Sequence, residues 1–396
     1  MRRRDFVRSA LGAAGSFALA PPALAQREPP PLLHEGIAAG GLAATVAVHY
    51  VTWLSQASWS FTSTWPVLHD PAYPLPRGYD STDPLIIRRH NQIAARHGFV
   101  WLWSWWGRSA RVGGDAMLRL YLESDPDSPV PLMILYEATG LLQPNGAGFY
   151  DFDDPLNFRQ LVDDLAYLDR TYWRNPRYAH RFHHIDGRPV VFPWVSRNFV
   201  GAWPAAVRAA RGEASFYLVG SELSLDLEAD GVTPRIRADL AEVAAPLDAV
   251  STYGLYDPRF VPPSGELDAG YAERVDRALR GWAERLATVA PDVGLIPPLQ
   301  FAYDDRYVRP NRRNPTLVSD GTEAIAVAQV VRALIDDASV ADPRYRNVLP
   351  VVFLVSWNEH FEGSAIEWTD EHGYTYVLAT TGTFRASTPG RGSVGP

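Results

Sequence analysis

Leu349-Pro350-Val351-Val352-Phe353-Leu354-Val355-Ser356-Trp357 is an almost unbroken apolar run, and it gives way at once to Asn358-Glu359-His360-Phe361-Glu362-Gly363. A strand wetted on one face alternates apolar and polar residues. A run that stays apolar belongs to a strand covered on both faces, the habit of parallel sheets. Seven more runs of this kind precede it, at residues 44–50, 99–106, 130–137, 189–196, 215–222, 248–256 and 293–303. Between several of them the apolar period changes to that of a helix. Residues 83–97 set Leu85, Ile86, Ile93 and Ala94 on one face, and residues 155–172, 234–245, 269–289 and 320–337 follow the same pattern. Eight covered strands alternating with helices predict an α/β fold, a single (β/α)8 TIM barrel. An open doubly wound sheet is the competing arrangement, but no Gly-x-Gly-x-x-Gly follows any run.

Composition narrows the chemistry. The 396 residues are 46% hydrophobic and 21% charged, which suits a large core and excludes an intrinsically disordered chain. A net charge of −8 argues against nucleic acid or an anionic membrane as partner. Cysteine is absent, which removes disulfides, thiolate catalysis, iron–sulfur clusters and cysteine zinc sites. All 37 basic residues are arginine, which removes Schiff-base and pyridoxal phosphate chemistry and the lysine of a phosphate loop. Carboxylates, histidine, tyrosine and serine remain, with no cofactor and no metal expected.

The N-terminus places Arg2-Arg3-Arg4-Asp5-Phe6 before a short Leu/Ala/Gly/Phe stretch and the small-x-small site Ala23-Leu24-Ala25. Residues 1–25 read as a twin-arginine-type signal peptide, 26–43 as a Pro-rich lead, 44–385 as the catalytic barrel and 386–396 as a disordered tail. An ordinary secretory signal or an uncleaved anchor is the alternative for the first segment. The expected mature chain is a monomer with no membrane span, periplasmic or secreted.

A (β/α)8 barrel builds its site at the C-terminal ends of the strands. Those ends carry Tyr50 and Trp53, Trp105 and Trp106, Glu137, Trp194, Tyr253, Tyr303 with Asp305, and Trp357 with Asn358. Of 13 tryptophans, only Trp173, Trp203 and Trp282 fall outside the strands or loops of this face. Indole beside carboxylate suits a sugar, whose ring offers C–H faces and hydroxyls. Trp101 and Trp103, spaced by two, read as core. Glu359 and Glu362 supply the pair that glycoside chemistry needs, one acid and one base or nucleophile. A helix-start cap is the other reading of the same spacing. His180, His183 and His184 read as loop histidines rather than a metal site, and Asp151–Asp154 as a helix cap rather than a calcium loop.

These residues resemble glycoside hydrolase family 99, whose activities are endo-acting α-mannosidases and α-mannanases. The resemblance lies in Trp357-Asn358-Glu359-His360-Phe361-Glu362-Gly363-Ser364-Ala365-Ile366-Glu367, in Gly78-Tyr79-Asp80-Ser81-Thr82-Asp83-Pro84 leading through His90 to Ser104-Trp105-Trp106-Gly107, and in Tyr303-Asp304-Asp305-Arg306-Tyr307-Val308-Arg309-Pro310. His360 and Phe361 stand where the family usually has Trp and His. The resemblance implies retaining hydrolysis through a 1,2-anhydro sugar. Glu359 would be the base on the substrate's 2-hydroxyl and Glu362 the acid/base. Tyr303, Asp305 and Arg309 fall in the third matching stretch and join the expected substrate contacts. The implied partner is an oligo- or polysaccharide. Two other readings stay open: a non-catalytic glycan-binding protein, and a glycosyltransferase of the related biosynthetic group.

Overall fold

A computed structural model describes residues 42–55, 59, 78–109, 113–223, 236, 238–254, 271–305, 321–340, 342–369 and 372–385. The expected signal peptide, most of the Pro-rich lead and the tail lie outside the described residues.

Eight parallel strands run in sequence order. They are β1 (Thr45–Tyr50), β2 (Phe99–Trp105), β3 (Leu132–Tyr136), β4 (Arg188–Pro193), β5 (Tyr217–Ser221), β6 (Ala249–Ser251), β7 (Gly294–Leu295 and Pro298–Gln300) and β8 (Val351–Val355). Each pairs with the next, and β8 returns to β1 with Thr45 opposite Val351. The ring closes inside β7. Its first half pairs with β6 and its second with β8. Across the join, the Ile296 N–H donates to the Val250 carbonyl at 2.9 Å and the Phe353 N–H to the Pro297 carbonyl at 3.1 Å. Pro297 has no N–H to lose there, so its residue type suits the change of partner.

A principal helix follows each strand: α1 (Pro84–His97), α2 (Asp115–Ser124), α3 (Pro155–Leu168), α4 (Trp203–Glu213), α5 (Leu240–Ala244), α6 (Tyr271–Val289), α7 (Gly321–Ser339) and α8 (Thr375–Phe384), with a further short helical turn, Ala138–Leu141, between β3 and α3. Local chemistry sets the helix starts. Asp83 and Asp154 each accept the N–H two residues on at 2.8 Å, with proline as the first helical residue of α1 and α3. The cap expected at Asp151–Asp154 is thus Asp154. Helices α2, α4 and α8 are not marked by apolar period, and among the described residues of 234–245 the helix is the short α5.

Side chains divide between two layers by the period of two along each strand. Ala47, Val100, Leu102, Met133, Leu135, Val190, Phe192, Tyr217, Val219, Ala249, Ile296, Val351 and Phe353 form one cluster drawn from all eight strands, which is the barrel interior. The intervening residues, among them Val46, Val48, Trp101, Trp103, Ile134 and Leu218, pack under the helices in a second, larger cluster. The two ends of the barrel meet: the Ala43 N–H donates to the Phe384 carbonyl at 2.7 Å, and Leu42 bridges Arg385.

Candidate active site

Continuing the inward period past the interior cluster names the residues that crown the barrel. The series gives His49 on β1, Ser104 on β2 and Glu137 after β3. It continues with Trp194 after β4, Ser221 on β5, Tyr253 after β6 and Gln300 on β7. The contacts bear this out. The Tyr253 ring meets His49 edge-on at 4.9 Å and Trp194 at 4.3 Å. Ser104 Oγ donates to Glu137 Oε1 at 2.8 Å, and the Glu137 side chain is fully buried. A Cβ on Gly254 would lie 2.4 Å from Gln300 Oε1, so a side chain there would have to push this amide aside.

A second wall is aromatic. Trp106 is partly exposed, and its indole N–H donates to Ser104 Oγ at 3.2 Å. Its ring lies between two glycines: a Cβ on Gly113 would come within 2.4 Å of it and one on Gly140 within 2.5 Å. Trp53 stands edge-on to it at 5.5 Å. Trp53, Trp106, Trp194 and Tyr253 are all half-buried at strand ends, as a sugar platform requires.

The β8 end closes on itself. Ser356 N–H donates to the Ser364 carbonyl, Ile366 N–H to Ser356 and Glu367 N–H to Trp357, pinning both ends of one short loop. At its tip lies a single 3₁₀ turn, His360–Glu362, preceded by Glu359 and ended by Gly363 in the left-handed region at φ 59. Asn358, the expected helix-start cap, spends its side chain on Val51, and Glu359 makes no side-chain cap at the turn, so the capping reading of this spacing fails. The Glu359 N–H is instead held by Ser356 Oγ at 2.8 Å. Glu362 faces the barrel mouth, with Oε2 3.5 Å from the Tyr253 hydroxyl. Both acids are well covered, Glu359 at 1% exposure and Glu362 at 7%.

Beside this turn sits a buried polar cluster that sequence reading passed over. The Glu367 carboxylate takes His360 Nε2 at 2.6 Å, the Tyr79 hydroxyl at 2.6 Å and His90 Nε2 at 3.1 Å. His90 Nδ1 lies 2.9 Å from the Tyr50 hydroxyl. Burial alone would push Glu367 up, but His90 and His360 with their hydrogen bonds hold it down at about 2. Burial first, then the Glu367 charge, pushes the Tyr79 phenol well above its ordinary value, so Tyr79 stays a donor.

Four expected substrate contacts need correction. Tyr50, Trp105 and Trp357 belong to the outward face, packed under the helices and not at the mouth. Tyr50 stacks on Trp103 at 5.0 Å, and Trp357 lies against Trp101 at 5.2 Å and His90 at 5.5 Å. The period that buries Trp101 and Trp103 also buries Trp105. Asn358 spends its amide on Val51, accepting its N–H at 2.8 Å and donating to its carbonyl at 3.1 Å, which ties the β8 loop to β1. Tyr303 and Asp305 bond to each other at 3.2 Å, and Arg309 lies outside the described residues. Conversely, His49 and Ser104, both read at strand ends in the sequence but not counted as substrate contacts, and Gln300, which sequence reading missed, follow the inward register to the mouth. The signal that finds them is the inward register counted from the interior cluster.

Among the described residues no group of His, Cys, Asp or Glu is arranged to hold a metal ion, and no helix is long and apolar enough to cross a membrane.

The sequence matches no protein-family profile and no curated protein. Solved structures do resemble the chain. One described as a "Glycoside hydrolase-like protein" has a TM-score of 0.61 and 16% identity over 87% of this chain and 94% of that one. Two structures of the GH99 endo-alpha-mannosidase from Bacteroides thetaiotaomicron follow with TM-scores of 0.56 and 0.53, each 18% identical over 86% of this chain and 96% of theirs. At such identities the likeness is one of fold, and the chain shares the barrel of these proteins over most of its length.

Proposed function

We propose that the chain is an exported, retaining glycoside hydrolase acting on α-mannosides or related glycans through a 1,2-anhydro sugar. Glu359 takes the proton of the sugar's 2-hydroxyl, whose oxygen attacks the anomeric carbon while Glu362 protonates the departing oxygen. The C–O bond to the leaving group breaks as the epoxide C–O bond forms. Glu362, now a carboxylate, then takes a proton from water as it opens the epoxide, and the 2-oxygen recovers its proton from Glu359. Two inversions at one carbon give net retention. A sugar hydroxyl is a weak acid, so its base has to be held close and oriented. The closed β8 loop suits that requirement.

The observation that carries the reading is the turn at the end of β8, which Glu359 precedes and Glu362 closes, and which sets Glu362 against Tyr253, whose ring meets His49 and Trp194 at the barrel mouth. Trp53 and Trp106 offer the faces on which a sugar ring can lie, and the barrel likeness to an endo-alpha-mannosidase supports the α-mannoside class.

The test is incubation of the purified chain with α-mannan and manno-oligosaccharides, with the anomeric proton followed by NMR. Release of the retained anomer is expected. Glu359→Gln and Glu362→Gln should each lower turnover by about 10²–10⁴-fold, the usual share of one acid–base group, with the melting temperature preserved. Undiminished turnover in both variants ends the assignment. Binding without release points to a glycan receptor, and turnover of a nucleotide-sugar donor to a transferase.

A further inference from the structure

Three residues complete a turn of 3₁₀ helix, so side chains three apart share one edge and the next residue along projects about 120° away. The turn ending β8 spans His360–Glu362, with Glu359 just before it and three residues from Glu362, and within the turn His360 projects away from Glu362. The contacts agree. Glu362 reaches the mouth at Tyr253, whereas His360 reaches the outward layer, where it meets Glu367, Trp59 and the α1 residue His90 across the carboxylate. His360 is wholly buried and Glu367 nearly so.

The loop's backbone bonds fix its ends at Ser356, Trp357, Ile366 and Glu367, and the turn itself is held on one side by the Asp304 N–H on the Glu362 carbonyl at 2.6 Å and by Ser356 Oγ on the Glu359 N–H at 2.8 Å. On the far side the His360 side chain adds the tie to Glu367. We propose that Glu367 is a positioning residue of the candidate site: through His360 it fixes the rotation of the turn and so aims Glu359 and Glu362. His90 holds Glu367 in turn, which anchors the acidic pair to α1. The proposal rests on the glycosidase reading for its chemistry, but its geometry stands apart from any reaction.

A carboxylate can accept from three donors at once, whereas an amide turns its own N–H₂ toward at least one of them. Glu367→Gln therefore disturbs the tie while keeping the shape. His360→Ala removes the tie itself. Tyr79→Phe is the control, because it deletes a bond of the same 2.6 Å length to the same carboxylate without touching the turn. On α-mannan, Glu367→Gln and His360→Ala should lower kcat by about 10²-fold, the scale of a 1 Å misplacement, and leave KM within about threefold. Tyr79→Phe should keep both within about threefold. Equal losses in Tyr79→Phe and Glu367→Gln, or losses explained by the unfolded fraction in melting curves, overturn the proposal.

If the native chain releases no sugar, the functional reading fails and crystal structures of the same variants decide. Glu359 and Glu362 carboxylates displaced in Glu367→Gln but not in Tyr79→Phe sustain the proposal. Carboxylates unmoved in both, or displaced alike in both, overturn it.

Discussion

Glu367 shows what one buried charge does at the scale of a residue. Its carboxyl sits at about 2 against an ordinary 4.5, so it stabilises the fold fully above pH 4.5, and that contribution is lost as pH falls toward 2. The shift is worth on the order of 3 kcal/mol. Thermal melts of the native chain and of Glu367→Gln between pH 6 and pH 2.5 should therefore converge as the acid end is approached. A gap that stays constant with pH would contradict an ionised Glu367. In the sequence Glu367 was one letter of a matching stretch, because neither spacing nor composition says that His90, more than 270 residues away, will lie 3.1 Å from it. The acidic pair itself was legible, since both members sit in one short stretch just past an apolar run.

Elements carry the platform and its support. The short helical turn Ala138–Leu141 after β3 brings Gly140 against the Trp106 ring, where a methyl group would sit 2.5 Å from Cε3. Gly140→Ala should destabilise the fold by about 1–3 kcal/mol through overpacking and should weaken glycan binding by displacing the indole. Melting and glycan titration measure the two effects separately. Beneath it, α3 is keyed to β3 by Asp164, fully buried, which accepts from the Tyr136 hydroxyl at 3.1 Å, Gln160 at 2.7 Å and Arg108 at 3.1 Å. Asp164→Ala strands those donors and should cost about 3 kcal/mol, readable as a lower denaturant midpoint. The elements were legible where period and caps coincide, as in α1 and α3. They were not in α8, whose apolar residues surround it and whose Thr380 and Thr381 bond back to the carbonyls four residues earlier. Propensity gave no start or stop for such a helix, and burial under the barrel makes it.

For the whole molecule, the count of eight covered runs was enough to predict the barrel, because closure gives every strand two neighbours and two covered faces. The ends of the runs were less legible. Each expected strand outran the real one by a residue or more, since apolar residues beyond the last ladder bond go on to line the mouth or to pack the outer layer. Tyr50 and Trp105 end β1 and β2 themselves and were misassigned by face, since the inward register counted from the interior cluster puts both on the outer layer. Trp357 lies past β8, where that register no longer holds, and its contacts with Trp101 and His90 place it in the outer layer.

The hydrogen bond from Ala43 to Phe384, with Leu42 bridging Arg385, has an engineering consequence. A chain whose first strand and last helix finish side by side has no topological need to begin where it does. Linking residue 385 to residue 42 through a few glycines, and opening the exposed hairpin at Asp186-Gly187 instead, should give a circular permutant with unchanged circular dichroism and a cooperative melt. In that permutant the new ends leave from the side of the barrel where the strands begin. A purification tag or a fused partner domain would then hang well away from the glutamates.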